Sequence, residues 1–369
     1  MHHHYKVLKP ARLKNFLASF STKPYRDVLF VSEGIEWVTS GEIRGLVEDV
    51  LPSLNISWRI SGPVPIGFPR QAIFYPTVYF LRHPKLYLLP RCRIAFPYYH
   101  GYPGSGKELF DTCFNNLKKY HHKITRIQAS NSYMKNLILD SGIEPEKVFL
   151  IPIAIRGEYF SVQTAGSKKQ ARETFAIPQN AVVLGSFQKD GEGWGEGLEP
   201  KMVKGPDIFL KVISILKNSI PELFVLLSGP ARGYVKKGLE ELAVPYKHIF
   251  LEDYSKIVDL YHCLDVYMVT SRQEGGPKSV LESMASGIPL VTTRVGQAAD
   301  LVKNEQNGMM VDVGDTEALA FSCEKVLNAQ QLRKKIIVNA AETAKANTYT
   351  AHIPLWRDFF RGFVDSKEG

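Results

Sequence analysis

The chain of 369 residues has few cysteines and no long apolar run. Its four cysteines, Cys92, Cys113, Cys263 and Cys323, show no C-x-x-C spacing, which argues against a zinc site and against a disulfide framework. No apolar segment approaches the roughly 18–20 residues that a membrane-spanning helix needs, and no signal-peptide pattern opens the chain. We therefore expect a cytoplasmic protein.

The chain also has fewer acidic than basic residues. Lysine and arginine number 46 against 37 aspartates and glutamates, and the formal net charge of +9 favours an anionic partner. Nucleotide phosphates and an acidic membrane face both fit this charge. Nucleic acid fits less well, because the aromatic residues are not interleaved with the basic ones in a recognisable module. The length suits two domains of roughly 150–200 residues each.

Short apolar runs alternate with amphipathic runs in both halves of the chain. Strands are predicted at 27–32, 93–99, 124–130, 148–154, 181–187, 223–229, 248–253, 265–271, 289–293 and 308–312. Apolar strands separated by helices predict parallel sheets covered on both faces. The expected fold is α/β, with doubly wound domains at 1–162 and 168–350, a polar linker at 163–170, and 351–369 packing back on the first domain.

The segment from Val269 to Thr293, "VTSRQEGGPKSVLESMASGIPLVTT", carries the densest signal. Gly275 and Gly276 let the backbone turn after a strand, and Pro277 suits the start of a helix. That helix is expected to end at Gly287. The free N–H groups of its first turn form a site for an anion such as a diphosphate.

Two carboxylates bracket this predicted anion site. Glu274 precedes the helix, and Glu282 lies in its second turn. A carboxylate accepts paired hydrogen bonds from neighbouring hydroxyls, so this arrangement suits a nucleotide sugar, with one carboxylate on the sugar and the other on the ribose. The spacing of the pair alone is explained as well by a solvated loop charge at Glu274 and a surface helix charge at Glu282. The combination of carboxylates, Gly-Gly-Pro turn and flanking strands favours the nucleotide-sugar site.

At these residues the sequence resembles the retaining nucleotide-sugar glycosyltransferases of family four, which have the GT-B fold. The E-x7-E signature reads "EGGPKSVLE" here and is followed by "SMASGIPLVTT" and "VGQAADLVKNEQNGMMVD". In the first half, "SNSYMKNLILDSGIEPEKVFLIPIAIRGEYF" is similar to the family's segment before the second domain. The resemblance implies two Rossmann-like domains facing across a cleft, with a C-terminal helix crossing back to the first.

The resemblance also implies which residues form the site. The catalytic residues would be His100 and Glu274, and the donor-binding residues would be Lys189, Lys204, Gly275, Gly276, Pro277, Lys278, Ser279 and Glu282. The family places an arginine where Ser186 stands, and Lys189 is the nearest substitute. His100 would face the donor sugar, although a histidine satisfied in a polar core is an alternative. Tyr254 is a candidate for the base pocket.

The activity implied is transfer of a hexose from a UDP- or GDP-linked donor to a hydroxyl of a glycan, a lipid-linked or a small-molecule acceptor. It would proceed with retention and without metal or cofactor, as in cell-surface polysaccharide or glycolipid synthesis. Two rivals remain open. One is a sugar-nucleotide epimerase of the same fold. The other is a non-catalytic nucleotide-sugar-binding protein.

Three further segments carry basic residues. Gly101–Lys107 fits the start of a phosphate-binding P-loop, but Glu108 stands where a magnesium-binding serine or threonine belongs, which disfavours that function. The glycine-rich insert 190–199 is predicted to be mobile, and Arg232 to be either a phosphate contact or a surface charge. The basic, amphipathic arm 6–20 fits either peripheral contact with an anionic membrane or ordinary core packing.

Overall fold

A computed structural model describes residues 26–32, 38–62 and 70–365. These residues divide into two compact units, the first drawn from Met1–Pro152 and Tyr349–Gly369 and the second from Ile153–Thr348. The basic arm at 6–20 lies outside the described residues, so the interpretations of it stay predictions.

The secondary structure alternates strands and helices along the chain. The strands are β1 (Val28–Val31), β2 (Trp58–Ser61), β3 (Ala72–Phe74), β4 (Arg93–Tyr98), β5 (Arg126–Ala129), β6 (Val148–Leu150), β7 (Val182–Phe187), β8 (Leu223–Ser228), β9 (Tyr246–Ile249), β10 (Val266–Val269), β11 (Leu290–Thr293) and β12 (Met309–Val311). The α-helices are α1 (Val38–Gly45), α2 (Pro84–Tyr87), α3 (Glu108–Tyr120), α4 (Ser132–Asp140), α5 (Ala165–Thr174), α6 (Pro206–Leu216), α7 (Gly233–Glu241), α8 (Ile257–His262), α9 (Lys278–Ala285), α10 (Ala298–Leu301), α11 (Thr316–Asn328), α12 (Gln330–Ala346) and α13 (Ile353–Phe360). Short 3₁₀ or π segments are Leu46–Val50, Pro52–Leu54, Val78–Arg82, His121–Lys123, Pro145–Lys147, Gly157–Tyr159, Met202–Lys204 and Tyr254–Lys256.

The first unit contains a parallel six-stranded sheet in the order β2-β1-β3-β4-β5-β6. Its central residues, such as Ile73, Phe96 and Ile127, are fully buried. Helices cover the sheet because near-continuous apolar strands need both faces shielded from water. The predicted α/β class is confirmed here. The sequence reasoning missed β2, whose Trp58 and Ile60 are exposed, and β3, which is three residues long.

The second unit contains a parallel six-stranded sheet in the order β12-β11-β10-β7-β8-β9. From β7 the chain winds outward through β8 to β9, and from β10 it winds the other way through β11 to β12. Strands β7 and β10 are therefore neighbours at the point where the strand order reverses. In doubly wound sheets, ligands bind beyond the carboxyl ends of the strands at this point.

The segment predicted as the linker is part of a helix. Helix α5 begins after Thr164, whose side chain and that of Ser167 form a reciprocal capping box. Arg172 on this helix is 2% exposed and binds Asp265, which fixes α5 to the second unit. The linker prediction at 163–170 was therefore wrong, and the boundary between the units falls at Pro152 instead of near 162. The polar side chains of residues 163–170 are exposed or half-buried, and most of them lie on helix α5.

Helix α13 belongs to the first unit. The ring of Phe359 lies 6.1 Å from that of Phe74 on β3 and 5.2 Å from that of Phe149 on β6, measured between ring centres. Trp356 and Phe360 are also buried. The segment 351–369 thus packs on the sheet of the first unit, as the sequence predicted.

Residue His352, just before α13, makes the first unit sensitive to acid. It is 3% exposed, and burial lowers its pKa from 6.5 to about 4. Below pH 6.5 the unfolded chain binds a proton that the folded chain refuses, so stability falls between pH 6.5 and 4. We expect the free energy of unfolding to lose about 2 kcal/mol more between pH 7 and 5 in the parent than in His352→Gln. Urea titrations at both pH values measure this.

The exposed His122 provides the control. The variant His122→Gln should follow the parent's pH dependence. Parallel curves for the parent and His352→Gln would contradict the assignment.

Candidate functional site

The turn into α9 has the shape that the sequence predicted. Pro277 directly precedes the helix, and Gly287 ends it with a φ of +70° and an N–H donated to the Met284 carbonyl. At Gly276 a Cβ would lie 2.7 Å from the Gln297 Oε1, so only glycine fits beside that side chain. The N–H groups of the first turn, at Lys278 and Ser279, point out of the helix end and favour an anion there.

Glu274 lies beside this helix end and is 9% exposed. Its Oε1 accepts hydrogen bonds from Lys204 Nζ at 2.6 Å and from Ser271 Oγ at 2.8 Å. The explanation of Glu274 as a solvated loop charge is therefore wrong. Two predicted site residues, 70 positions apart in the chain, form one ion pair.

The backbone around Lys204 is built to hold this pair. Gly205 has a φ of +65°, and a Cβ there would lie 2.0 Å from the Thr270 carbonyl oxygen. Arg272 binds both carboxylate oxygens of Asp207 at 2.7 Å and donates to the Met202 carbonyl at 2.8 Å. The loop after β7 is thus fastened to the loop after β10, which brings Lys204 to Glu274.

Glu282 is buried rather than exposed on the helix surface. It is 5% exposed, and its two carboxylate oxygens accept hydrogen bonds from the hydroxyl groups of Tyr254 and Tyr261. Burial raises the pKa of Glu282 above its ordinary value, although the two tyrosine hydrogen bonds act in the opposite direction. Tyr254 follows the edge strand β9 and is half exposed. A ligand that reached Glu282 from solvent would meet Tyr254 first.

These contacts are confined to a segment that matches a known family. A family model described as "Glycosyl transferases group 1" matches residues 198–343, which include Lys204, Glu274 and Glu282. Residues 198–343 of the chain are therefore similar to a group 1 glycosyltransferase domain.

Relatives of this glycosyltransferase domain match the chain in part. The D-inositol 3-phosphate glycosyltransferase of Corynebacterium diphtheriae is 25% identical over 58% of the chain and 51% of its own length. The capsular polysaccharide biosynthesis glycosyltransferase CapM of Staphylococcus aureus is 27% identical over 66% of the chain and 63% of its own length. The chain spans about half the length of the first of these relatives.

A solved structure extends the likeness to most of the chain. The crystal structure of Anabaena HepE in complex with UDP and glucose matches with a TM-score of 0.72 and 15% identity, over 92% of this chain and 100% of that one. At this identity the likeness concerns the fold. It agrees with two parallel six-stranded sheets and confirms the prediction of a GT-B fold.

Lys189 lies just before the stretch that matches the glycosyltransferase family. Its ammonium group lies 4.0 Å from the centre of the Trp194 ring. The neighbouring Gln188 donates from Nε2 to the Lys204 carbonyl at 3.2 Å, so the base of this loop borders the Lys204–Glu274 pair. The structure therefore places Lys189 at the edge of the candidate site, and its role in binding the donor stays a prediction.

The insert at 190–199, whose mobility stays a prediction, has a backbone that packs closely on its neighbours. Residues 190–199 close on themselves through a bridge between Gly191 and Pro200. The carbonyls of Glu196 and Gly197 accept the N–H groups of Gly233 and Tyr234 at 2.7 and 2.9 Å. The small size of the glycines permits this close backbone packing, whereas composition alone suggested mobility.

Arg232 is a buried anchor, neither a surface charge nor an exposed phosphate contact. It is 1% exposed, and its Nε lies 2.9 Å from Asp190 Oδ1. Its Nη1 donates to the Ser228 carbonyl at 2.7 Å, and its Nη2 donates to Ser186 Oγ at 3.2 Å. Burial raises the pKa of Asp190, and the Arg232 charge opposes that rise. Sequence reasoning missed this pair because its members lie 42 positions apart.

His100, which follows β4 in the first unit, is exposed, so the alternative of a histidine satisfied in a polar core is wrong. Its Nδ1 lies 3.5 Å from the Tyr79 hydroxyl, and its ring meets the edge of Phe110. In the neighbouring P-loop-like stretch, the Gly104 N–H donates to Asp111 Oδ1 at 2.7 Å. A carboxylate at this place further disfavours phosphate binding.

Gln297 is a site residue that sequence reasoning did not single out. It is fully buried, its N–H donates to the Gly275 carbonyl at 3.1 Å, and its Oε1 accepts the Ile153 N–H at 2.9 Å. Its position in the segment "VGQAADL", which carries the family resemblance, could have identified it as a site residue. Gln297 holds the glycine turn of the glycosyltransferase motif in place.

Two further searches concern only the described residues. Among them, no cluster of three or more histidine, cysteine, aspartate or glutamate side chains is arranged to hold a metal ion. No helix in the described part of the chain has the length and apolar character needed to cross a bilayer.

Proposed function

We propose that this chain is a retaining glycosyltransferase that moves a hexose from a nucleotide-diphosphate donor to an acceptor hydroxyl. The observation that carries the proposal is the Lys204–Glu274 ion pair, which lies beside the first turn of α9 and beyond the carboxyl ends of β7 and β10. It combines a cation, a carboxylate and the N-terminal end of a helix at the place where doubly wound sheets bind ligands.

The proposed donor site works by exchange of partners. In the empty site Lys204 neutralises Glu274. When the donor binds, the diphosphate takes the Lys204 ammonium and the N–H groups of Lys278 and Ser279, while Glu274 turns to the hydroxyls of the sugar. As the sugar–phosphate bond breaks, negative charge grows on the diphosphate, and the fixed cation stabilises it. Lys189 would supply a second cation.

Retention at the anomeric carbon is part of the proposal because the family resemblance implies it. The acceptor hydroxyl would attack the face from which the diphosphate leaves, without a covalent intermediate on the protein. For His100 we keep the two roles that the resemblance implies, stabilisation of positive charge on the sugar through its backbone carbonyl or polarisation of the acceptor. The reaction would need no metal and no cofactor, since the lysines balance the charge of the leaving group.

The names of similar proteins guide the choice of substrates. HepE was crystallised with UDP and with UDP-glucose, which makes UDP-glucose the first donor to test, with GDP-linked donors second. Relatives named for inositol phosphate and capsular polysaccharide point to glycan, lipid-linked or small polyol acceptors. A cytoplasmic protein that contacts an anionic membrane through the arm at 6–20 would meet a lipid-linked acceptor there.

We expect Glu282→Gln to weaken UDP binding by about 10- to 100-fold, because a charged acceptor for the ribose hydroxyls is lost. Calorimetric titration with UDP measures this. The matched probe is 2′,3′-dideoxy-UDP, which should bind the parent and the variant equally weakly. Equal UDP affinity in both proteins would contradict the ribose role.

The proposed reaction can be tested with sugar-labelled UDP-glucose and GDP-mannose, alone and with a panel of octyl glycosides. Without an acceptor we expect slow hydrolysis that releases the hexose, first as the α-anomer in the proton NMR spectrum. With one of the acceptors we expect faster release of the nucleotide. Conversion of the sugar nucleotide into its epimer would favour the epimerase. Binding of the sugar nucleotide without turnover in any mixture would favour the non-catalytic protein.

A further inference from the structure

The loop at residues 190–200, called here the Trp194 loop, exposes apolar side chains to solvent, although its backbone packs against Ala231. Trp194 is 61% exposed and Leu198 is 60% exposed. Single exposed apolar residues are normal on protein surfaces. Two of them on one ordered loop, one being the large indole of tryptophan, indicate a contact surface.

The backbone of the Trp194 loop is fixed by groups that sit beneath it. Asp190 at its start is fully buried against Arg232. At Gly197 a Cβ would lie 2.2 Å from the Ala231 carbonyl oxygen, so the two backbones are in direct contact. Because these contacts hold the backbone of the loop, a ligand that binds to it needs to supply less free energy to order it.

The side chains around Trp194 have the chemistry of a carbohydrate site. The loop carries three exposed carboxylates, at Glu192, Glu196 and Glu199. The C–H face of a sugar ring packs on an indole, and sugar hydroxyls donate hydrogen bonds to carboxylates. Three carboxylates outnumber the two flanking ammonium groups of Lys189 and Lys201, which disfavours an anionic membrane or a nucleic acid as the ligand.

The Trp194 loop emerges directly from the carboxyl end of β7, where the donor is proposed to bind. Gln188, two residues before the loop, donates to the Lys204 carbonyl. The Lys201 N–H at the end of the loop donates to the Asp190 carbonyl at 2.7 Å, so both ends of the loop lie together near Lys204. We propose that the Trp194 loop binds the acceptor glycan by stacking a sugar ring on Trp194. This inference rests on the proposed transferase function.

The test compares the parent chain with Trp194→Ala and with Phe321→Ala, a control on α11 whose aromatic ring is 63% exposed. UDP affinity is measured by calorimetry. Maltopentaose, mannopentaose and chitopentaose are then titrated in the presence of UDP, following the indole N–H resonance that Trp194→Ala removes. We expect one of these sugars to shift that resonance. We also expect Trp194→Ala to weaken its binding about tenfold or more while UDP affinity stays within about twofold.

The control Phe321→Ala should match the parent for both ligands. The inference is overturned if none of the three sugars shifts the Trp194 resonance, or if Trp194→Ala binds the sugar as the parent does. It is also overturned if Trp194→Ala mainly weakens UDP binding, since Trp194 would then serve to position Lys189. Absence of UDP binding to the parent would instead contradict the proposed function.

Discussion

Replacing Lys204 by methionine should lower kcat/KM for sugar transfer by about 10²- to 10³-fold, because the departing diphosphate loses a fixed cation. Glu274→Gln should cause a loss of similar size by removing the carboxylate that holds the sugar. In the empty site the two side chains form one ion pair at 2.6 Å, which must break before the donor binds, so each single variant is spared that cost. The double variant should therefore lose somewhat more than the product of the two single effects. Initial rates of UDP release with UDP-glucose measure all three.

The matched control for this prediction is Lys201→Met, three residues earlier on the same loop. It should retain activity within about threefold of the parent. Thermal melts of each variant separate a catalytic loss from unfolding, since Glu274 is almost buried and its partner is removed in Lys204→Met. Full turnover by a folded Lys204→Met protein would contradict the role of the pair.

Asp265→Ala should destabilise the second unit by about 3–5 kcal/mol, because it leaves a buried charge without its partner. Arg172 is 2% exposed and donates from Nη2 to Asp265 at 2.7 Å. The Asp265 carboxylate also binds Lys168 and accepts the Val183 N–H at 2.8 Å. Its loss therefore weakens the attachment of helix α5 to the sheet, although Arg172 still donates to the Cys263 and Ala181 carbonyls. Guanidinium unfolding followed by circular dichroism measures the change in free energy.

Helix α5 itself provides the control for this prediction. Glu173 lies on the same helix, is more than half exposed, and pairs with Lys169 at 4.0 Å. Glu173→Gln should change the free energy of unfolding by less than about 1 kcal/mol. The double variant Asp265→Leu with Arg172→Met should recover much of the loss, because no lone buried charge remains. Equal effects of Asp265→Ala and Glu173→Gln would contradict this account.

The fold could be predicted from local sequence signals where those signals are strong. The turn before α9 and the end of that helix were predicted because Gly275, Gly276, Pro277 and Gly287 restrict the backbone in ways that few other residues do. Strand β4 was predicted at 93–99 because its residues form one apolar run, and it spans Arg93–Tyr98. Helix α5 was missed because its inward contacts are made by Arg172, a residue that local reasoning assigns to the surface.

The identities of the candidate site residues could be predicted, but their contacts could not. Lys204 and Glu274 lie 70 positions apart and meet only because β7 and β10 are neighbours in the sheet. The buried pair of Asp190 and Arg232 is missed for the same reason. Tyr261 lies 21 positions before Glu282, and only the folded chain brings its hydroxyl to that carboxylate.

A crystal structure of the chain with UDP-glucose tests the central claim most directly. We expect the diphosphate at the first turn of α9, within about 3 Å of the N–H groups of Lys278 and Ser279 and of the Lys204 ammonium. Glu274 should have exchanged Lys204 for sugar hydroxyls, and Glu282 should accept from the ribose. A well-ordered donor bound elsewhere, with the Lys204–Glu274 pair intact, would contradict the account.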